Sequence, residues 1–204
     1  MVGKRVRQPG GHRDGAAAAI GAVAACLLVL AGLLLWLPTR PPVAASTVGG
    51  PFRLLASNGR TVDDRSFPGR YKLVYFGYTQ CRDVCPTAMT ALADALRMLG
   101  PVADRVQPLF VTVDPAHDTP PVLRRYLAQF TPRLLGLTGT PAQVGAVERA
   151  YRVTSVVMTD ASGAEAFDHS SVLYLMRPDG RFLAPLRADE TPAVMAATLA
   201  RALR

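Results

Sequence analysis

The chain has 204 residues, of which 50% are hydrophobic and 19% are charged, with a formal net charge of +8 and three cysteines. Three cysteines exclude a disulfide-rich miniprotein and a zinc ribbon with four thiolate ligands. The composition also excludes collagen and a largely disordered chain, and the scattered arginines form no basic helix of the kind that binds nucleic acid.

The N-terminal part of the chain predicts a membrane anchor. Residues 1–15 contain four Lys or Arg residues and one Asp, so we expect this basic tail to stay in the cytoplasm. Residues 16–37 carry no charge and, as a transmembrane helix, are long enough to cross the ~30 Å hydrocarbon core of a bilayer. A cleaved signal peptide and a lipoprotein processed at Cys26 are the alternatives. We therefore predict a single-pass protein of the cell (inner) membrane, with its folded domain on the periplasmic or extracytoplasmic side.

The rest of the chain divides into a linker and one folded domain. Residues 38–51 are rich in Pro, Ala, Ser, Thr and Gly and are typical of a linker, whereas residues 52–204 suffice for a single core. Strand-like segments lie at 52–56, 60–63, 71–78, 106–113, 134–137, 153–158, 171–176 and 181–186, and helices begin near Pro86, Pro120, Pro141 and Pro192. We predict an α/β, thioredoxin-like fold, a central sheet flanked by helices with an N-terminal β-hairpin, preceded by one transmembrane helix.

Cys81 and Cys85 lie between a buried strand and the start of a helix. The positive end of the helix dipole favours thiolate, which is both the nucleophile of disulfide exchange and a metal ligand, so this position supports two functions. Thioredoxin-type redox pairs have two intervening residues, whereas three approximate one helical turn and can point both sulfurs at one place. A structural disulfide or a pair of inert thiols is a further alternative, although a bridge across so short a loop stabilises little.

His169 is the candidate for a third ligand. In a thioredoxin-like sheet the loop before the strand 171–176 lies next to the redox loop, so the imidazole can approach both sulfurs. Two thiolates and one imidazole form a soft, three-coordinate set that suits Cu(I) and leaves room for Cu(II). Asp83 and Asp168 are candidate supporting residues; Asp168 either orients the imidazole or caps the loop.

Four sequence blocks, in order, resemble the Sco (SenC) family. They are Gly50-Pro51-Phe52, the cysteine block from Phe76 to Thr87, the block from Asp114 to Pro120, and Asp168-His169-Ser170. The resemblance implies a membrane-tethered, thioredoxin-like protein that binds one copper ion, Cu(I) or Cu(II). It also implies a role in delivering copper to the binuclear copper site of cytochrome c oxidase, or in keeping the cysteines of that site reduced. The family's ligands correspond to Cys81, Cys85 and His169.

Two positions depart from the family pattern. Arg82 stands where the family usually has proline, and His117 stands where it usually has arginine. The first adds a charge beside the thiols and removes no ligand. The second offers an extra imidazole near the site, or is simply a solvated loop residue.

We expect a copper-binding metallochaperone, a protein that binds and transfers metal rather than a turnover enzyme. The alternative is a thiol–disulfide oxidoreductase that uses the same cysteines to reduce a copper-site apoprotein, and a peroxidase of the same fold is a third. Disulfide exchangers of this fold usually carry a proline where this chain has His169-Ser170, which favours metal. The expected partners are the copper-accepting subunit of cytochrome c oxidase, other copper chaperones or thiol reductants, and the membrane.

Overall fold

A computed structural model of the chain describes the backbone of residues 48–159, 165–169 and 171–204, and the side chains of residues 48–155 and 171–204. The predicted basic tail and anchor, and most of the predicted linker, lie outside the described residues. Among the helices within these ranges, none has the length and apolar character needed to cross a membrane.

The domain is built on a large mixed β-sheet. Its strands are β1 (Arg53–Ala56), β2 (Thr61–Asp63), β3 (Tyr71–Gly77), β4 (Val106–Thr112), β5 (Leu135–Thr138), β8 (Val172–Met176) and β9 (Phe182–Arg187). They are arranged in the order β2-β1-β5-β4-β3-β8-β9. Strands β3, β4 and β5 are parallel, whereas β1, β8 and β9 pair antiparallel with their neighbours. Two further strands, β6 (Ser155–Thr159) and β7 (Glu165–His169), form a separate antiparallel pair.

Helices cover the sheet on both faces. They are α1 (Val84–Leu99), α2 (Pro120–Leu127), α3 (Pro141–Tyr151) and α4 (Pro192–Ala202), with a 3₁₀ helix at Gly100–Arg105. Helices α1, α2 and α4 share one core cluster with alternate residues of β3, such as Leu73 and Tyr75. Helix α3 packs on the other face with Val74 and Phe76. Strand β3 is therefore buried on both sides, which explains its continuous apolar sequence.

This mixed sheet with helices on both faces is the predicted thioredoxin-like α/β architecture, including the N-terminal hairpin of β1 and β2. Helices α2, α3 and α4 begin at the predicted prolines. The expectation for the first helix was wrong by two residues, because α1 begins at Val84 rather than at Pro86. Consequently Cys85 belongs to the first helical turn rather than to the preceding loop.

The prediction that His169 lies in a loop was also wrong, because His169 ends strand β7, where its backbone is paired with that of Ser155. The segment from Glu165 to His169 has no strict polar–apolar alternation, and Glu, Ala and Asp are rare in strands. Its pairing with β6 therefore makes it a strand, and this long-range interaction has no local sequence signal.

Candidate metal centre

The two cysteines meet where β3 ends and α1 begins. Cys81 lies in the connecting loop, where its backbone N–H donates to the carbonyl oxygen of Tyr78 at 3.3 Å. The backbone N–H of Cys85 donates to the Sγ atom of Cys81, also at 3.3 Å. Both residues are present as thiols. The three-residue spacing thus brings the second cysteine back to the first sulfur at the N-terminus of α1.

The two thiols differ sharply in their surroundings. Cys85 is fully buried, whereas Cys81 is partly exposed. The hydrogen bond between the two side chains and the burial of Cys85 raise the pKa of Cys85 far above its usual range, and bonds from Tyr78 and Tyr75 offset only part of this. Because the Cys81 sulfur accepts an amide hydrogen bond at a helix N-terminus, negative charge is favoured there. Cys81 is therefore the accessible, nucleophilic sulfur of the pair, and Cys85 is the protonated one.

Gly77, the last residue of β3, allows α1 to approach this closely. A Cβ atom at this position would lie 2.9 Å from Cys85 Sγ, 2.9 Å from Tyr75 Cε1 and 3.0 Å from Phe110 Cζ. Real Cβ atoms essentially never make contacts shorter than 3.0 Å. The buried sulfur therefore occupies space that a side chain at the end of β3 would otherwise fill.

Asp118 ties the cysteine loop to the neighbouring strand. Its side chain is fully buried and accepts hydrogen bonds from the Thr79 N–H at 3.1 Å, the Thr79 hydroxyl at 2.5 Å and the Thr112 hydroxyl at 2.5 Å. Asp118 directly precedes Thr119, the N-cap residue of α2. Because Thr79 lies two residues before Cys81, Asp118 supports the cysteine loop, a role that the sequence did not predict. Its signal in the sequence is its place in the block from Asp114 to Pro120.

Asp83, Arg82 and His117, the other residues singled out in the sequence, all have exposed side chains. Asp83 is the N-cap residue of α1, but its exposed side chain makes no capping hydrogen bond. Arg82 is exposed. His117 is largely exposed, and its Nδ1 atom lies 2.8 Å from Asp114 Oδ2. Within the described ranges, no three His, Cys, Asp or Glu residues are grouped to hold a metal ion, so His117 does not join the cysteine pair in such a group.

The side chains of Asp168 and His169 lie outside the described residues, and only their backbone pairing within β7 is known. The chain that follows is informative about their neighbourhood. Ser171 lines a cavity of about 480 Å³ together with Asp83 and Val84, which lie between the two cysteines. The segment that follows His169 therefore borders the cysteine loop. This neighbourhood is consistent with the His169 imidazole as a ligand, which stays a prediction.

Comparison with known proteins agrees with this architecture. The SCO1/SenC family model matches residues 40–204. Protein SenC of Rhodobacter capsulatus is 42% identical over 153 residues, which are 75% of this chain and 69% of SenC. The human mitochondrial SCO1 homolog is 37% identical over 161 residues, and the match covers 77% of this chain but only 53% of that protein. This chain thus spans about half the length of its mitochondrial relatives.

Solved structures give the same result. The structure of Bradyrhizobium japonicum ScoI with copper bound is 43% identical, with a TM-score of 0.70 over 76% of this chain and 98% of that one. Yeast Sco1 with copper bound is 35% identical, with a TM-score of 0.69 over 76% of this chain and 87% of that one. With the family model matching nearly the whole described domain and the curated relatives agreeing, this chain belongs to the SCO1/SenC family.

Proposed function

We propose that this chain is a membrane-tethered copper-binding protein, a metallochaperone that assists copper delivery to the binuclear copper site of cytochrome c oxidase and the assembly of that site. The observation that carries the proposal is the cysteine pair at the N-terminus of α1, where the backbone N–H of Cys85 donates to the Cys81 sulfur. They occur in a chain 43% identical to a ScoI protein whose structure was solved with copper bound.

The proposed ligands of one copper ion are Cys81, Cys85 and His169, with Asp83 and Asp168 as supporting residues. The donor set fits the metal, because two adjacent thiolates and an imidazole are soft ligands that suit Cu(I). Copper is the cargo here. The partly exposed Cys81 is the sulfur that incoming metal reaches first, and the buried Cys85 is the second thiolate ligand. Each thiol releases its proton as the copper–sulfur bond forms, so affinity rises with pH.

The unequal thiols also support the alternative function, a thiol–disulfide oxidoreductase acting on a copper-site apoprotein. The Cys81 thiolate would attack the partner's disulfide and form a mixed disulfide, releasing one partner thiol. Cys85, after losing its proton, would then attack Cys81 Sγ and release the second. The products are a reduced partner and a Cys81–Cys85 disulfide, which an external thiol reductant must reduce again. The two functions are compatible, because the cysteines must be reduced before copper binds.

The proposed partners follow from these reactions. They are the copper-accepting subunit of cytochrome c oxidase, together with other copper chaperones or thiol reductants that load or reduce the cysteine pair. Residues 16–37 would hold the chain in the cell (inner) membrane, with residues 1–15 in the cytoplasm and the described domain on the periplasmic or extracytoplasmic side. The proposal involves no nucleic acid.

Labelling of Cys81 in intact spheroplasts tests this topology. In a Cys26→Ser chain, a membrane-impermeant maleimide should label the partly exposed Cys81 without permeabilisation, and Cys81→Ser should remove most of that signal. The chain should also stay in the membrane pellet after an alkaline carbonate wash. Labelling that requires permeabilisation would reverse the topology, and release by carbonate would rule out the anchor.

A Cu(I) titration of the purified chain tests the ligand set, again with Cys26→Ser so that only the paired cysteines contribute. We expect one tight site. Loss of partners around metal ligands typically costs about 10–100-fold in affinity, so Cys81→Ser or Cys85→Ser should cost at least about 100-fold, and His169→Ala at least about tenfold. His117→Ala, the matched imidazole control, should bind as the wild type does.

Two results would contradict the proposal. Unchanged affinity in the His169→Ala chain would exclude the three-ligand site. A wild-type chain that binds no copper but efficiently reduces the disulfide of a copper-site apoprotein would establish the alternative function.

A further inference from the structure

Behind Cys85 lies an aromatic wall, which we define as the side chains of Tyr75, Phe110 and Tyr126. The ring centroids of Tyr75 and Phe110 are 6.0 Å apart, and those of Phe110 and Tyr126 are 5.9 Å apart. The three residues come from β3, β4 and α2, so three separate elements hold the wall in place. It belongs to the same core cluster as Cys85 and the helices packed on this face of the sheet.

Tyr75 contacts the buried thiol directly. Its side chain is fully buried, and its hydroxyl donates a hydrogen bond to Cys85 Sγ at an O–S distance of 3.7 Å. Burial, together with the neighbouring Cys85, raises the pKa of Tyr75 far above its usual range. The geometry therefore makes the phenol a hydrogen-bond donor toward the sulfur.

Tyr126 is the second phenol of the aromatic wall. Its hydroxyl oxygen is buried and has no hydrogen-bond partner among the described residues. Burial raises the pKa of Tyr126. Tyr126 therefore belongs to the same wall as Tyr75 but lacks the hydrogen bond that Tyr75 makes to Cys85.

We propose that Tyr75 is a positioning residue that donates its hydroxyl hydrogen bond to the Cys85 sulfur when that sulfur holds copper. The copper part of this inference rests on the proposed function, but the contact between Tyr75 and Cys85 is present in the metal-free thiols. When copper binds, Cys85 exchanges its proton for a sulfur–copper bond and releases that proton to solvent. Tyr75 keeps its own proton, and no electron is transferred.

The Tyr75 hydrogen bond matters more once copper binds, because the Cys85 sulfur then carries negative charge in a buried site beside aromatic rings. A thiolate sulfur bound to a cation is a stronger hydrogen-bond acceptor than a neutral thiol, because the bond is assisted by charge. Without a hydrogen-bond donor such as Tyr75, negative charge on the buried Cys85 sulfur would be energetically costly. Hydrogen bonds around a cysteine sulfur are also known to tune the properties of copper sites. The Tyr75 phenol therefore lets a fully buried cysteine serve as a ligand.

Three isosteric variants test this inference in the purified Cys26→Ser chain. Tyr75→Phe and Tyr126→Phe each remove one hydroxyl from the aromatic wall. Tyr151→Phe is the matched control, because Tyr151 is equally buried but packs against Phe76 on the opposite face of the sheet. The measurements are Cu(I) affinity by competition with a chromophoric chelator, the energy of the sulfur-to-copper charge-transfer band of the Cu(II) form, and the thiol–disulfide equilibrium of the metal-free pair against glutathione.

We expect Tyr75→Phe to weaken Cu(I) binding about three- to tenfold and to shift the metal-free pair toward the disulfide by a similar factor. The charge-transfer band should move to longer wavelength, because the sulfur loses a donor that withdraws electron density. Tyr126→Phe should leave these measurements close to those of the wild type, because the Tyr126 hydroxyl has no hydrogen-bond partner among the described residues. Tyr151→Phe should leave all three measurements unchanged.

The outcomes separate this inference from the proposed function. A Tyr75→Phe chain with wild-type copper affinity, band and thiol–disulfide equilibrium would overturn the inference while leaving the proposed function intact. Equal losses in Tyr75→Phe and Tyr151→Phe would also overturn it, because they would reflect general core packing. If the wild type binds no copper, the proposed function fails, and the glutathione equilibrium of the metal-free thiols still decides whether Tyr75 acts on Cys85.

Discussion

Replacing Asp118 with alanine should lower the free energy of unfolding by about 2–4 kcal/mol and weaken copper binding. The carboxylate accepts three hydrogen bonds from Thr79 and Thr112 in a fully buried position, and each buried donor left without a partner costs about 1–3 kcal/mol. Thr79 lies in the loop that carries Cys81, so the loss of these hydrogen bonds also loosens the partly exposed Cys81 sulfur. Urea denaturation and the Cu(I) titration would measure the two effects.

Two further variants show whether the effect belongs to this carboxylate. Asp94→Ala removes an exposed carboxylate that pairs with Arg97 on the surface of α1, and should change stability by less than about 0.5 kcal/mol. Asp118→Asn keeps the shape and one acceptor oxygen, and should retain much of the stability and of the copper affinity. If Asp118→Ala were no more destabilising than Asp94→Ala, the anchoring role of Asp118 would be wrong.

The same carboxylate should make stability depend on pH. Burial raises the pKa of Asp118 above its ordinary value of 3.8, and hydrogen bonds from Thr112 and Thr79 offset only part of that effect. The folded chain therefore binds more protons than the unfolded chain between 3.8 and the raised pKa. The stability contributed by this group is complete below pH 3.8 and is lost as pH rises through the raised pKa. The free energy of unfolding of the wild type, relative to Asp118→Asn, should fall across this window. A relative stability that instead grows with pH would show that the hydrogen bonds outweigh burial.

Gly77→Ala should lower the free energy of unfolding by about 1–3 kcal/mol, because a methyl group would overlap the Cys85 sulfur and the rings of Tyr75 and Phe110. Since these atoms are held by a strand, a neighbouring strand and a helix terminus, none can move without disturbing the site. We also expect weaker Cu(I) binding, because the added methyl group would displace the Cys85 sulfur from its position beside Cys81. Thermal or urea unfolding and the chelator competition would measure both effects.

The matched control for Gly77 is Gly145, which lies inside α3. A Cβ atom there would have the flexible end of the Arg149 side chain as its nearest neighbour, at 3.3 Å. Because alanine is favoured over glycine inside a helix, Gly145→Ala should stabilise the domain by up to about 1 kcal/mol. A Gly77→Ala chain as stable as the wild type would mean that the end of β3 does not limit the position of Cys85.

Structural features that depend on residues close together in the sequence were predictable from the sequence. The apolar strand β3, the N-terminal hairpin and the three helices that begin at Pro120, Pro141 and Pro192 appear as expected, because each reflects local conformational preference or a simple periodicity. The meeting of Cys81 and Cys85 belongs to the same class. The cysteines are only four residues apart, so the short turn from the loop into α1 brings the Cys85 N–H back to the Cys81 sulfur.

The tertiary structure decided the environment of the pair. Asp118 lies just before α2, yet it acts on Thr79, which is 39 residues away in sequence, through the pairing of β3 with β4. Likewise, strand β7 exists through its pairing with β6, which placed His169 in a strand rather than in a loop. The sequence by itself determined which sulfurs lie together and on which fold. Their unequal burial, the hydrogen bond from Tyr75 and the buried carboxylate behind the loop depend on contacts between distant segments, which only the packed sheet and helices create.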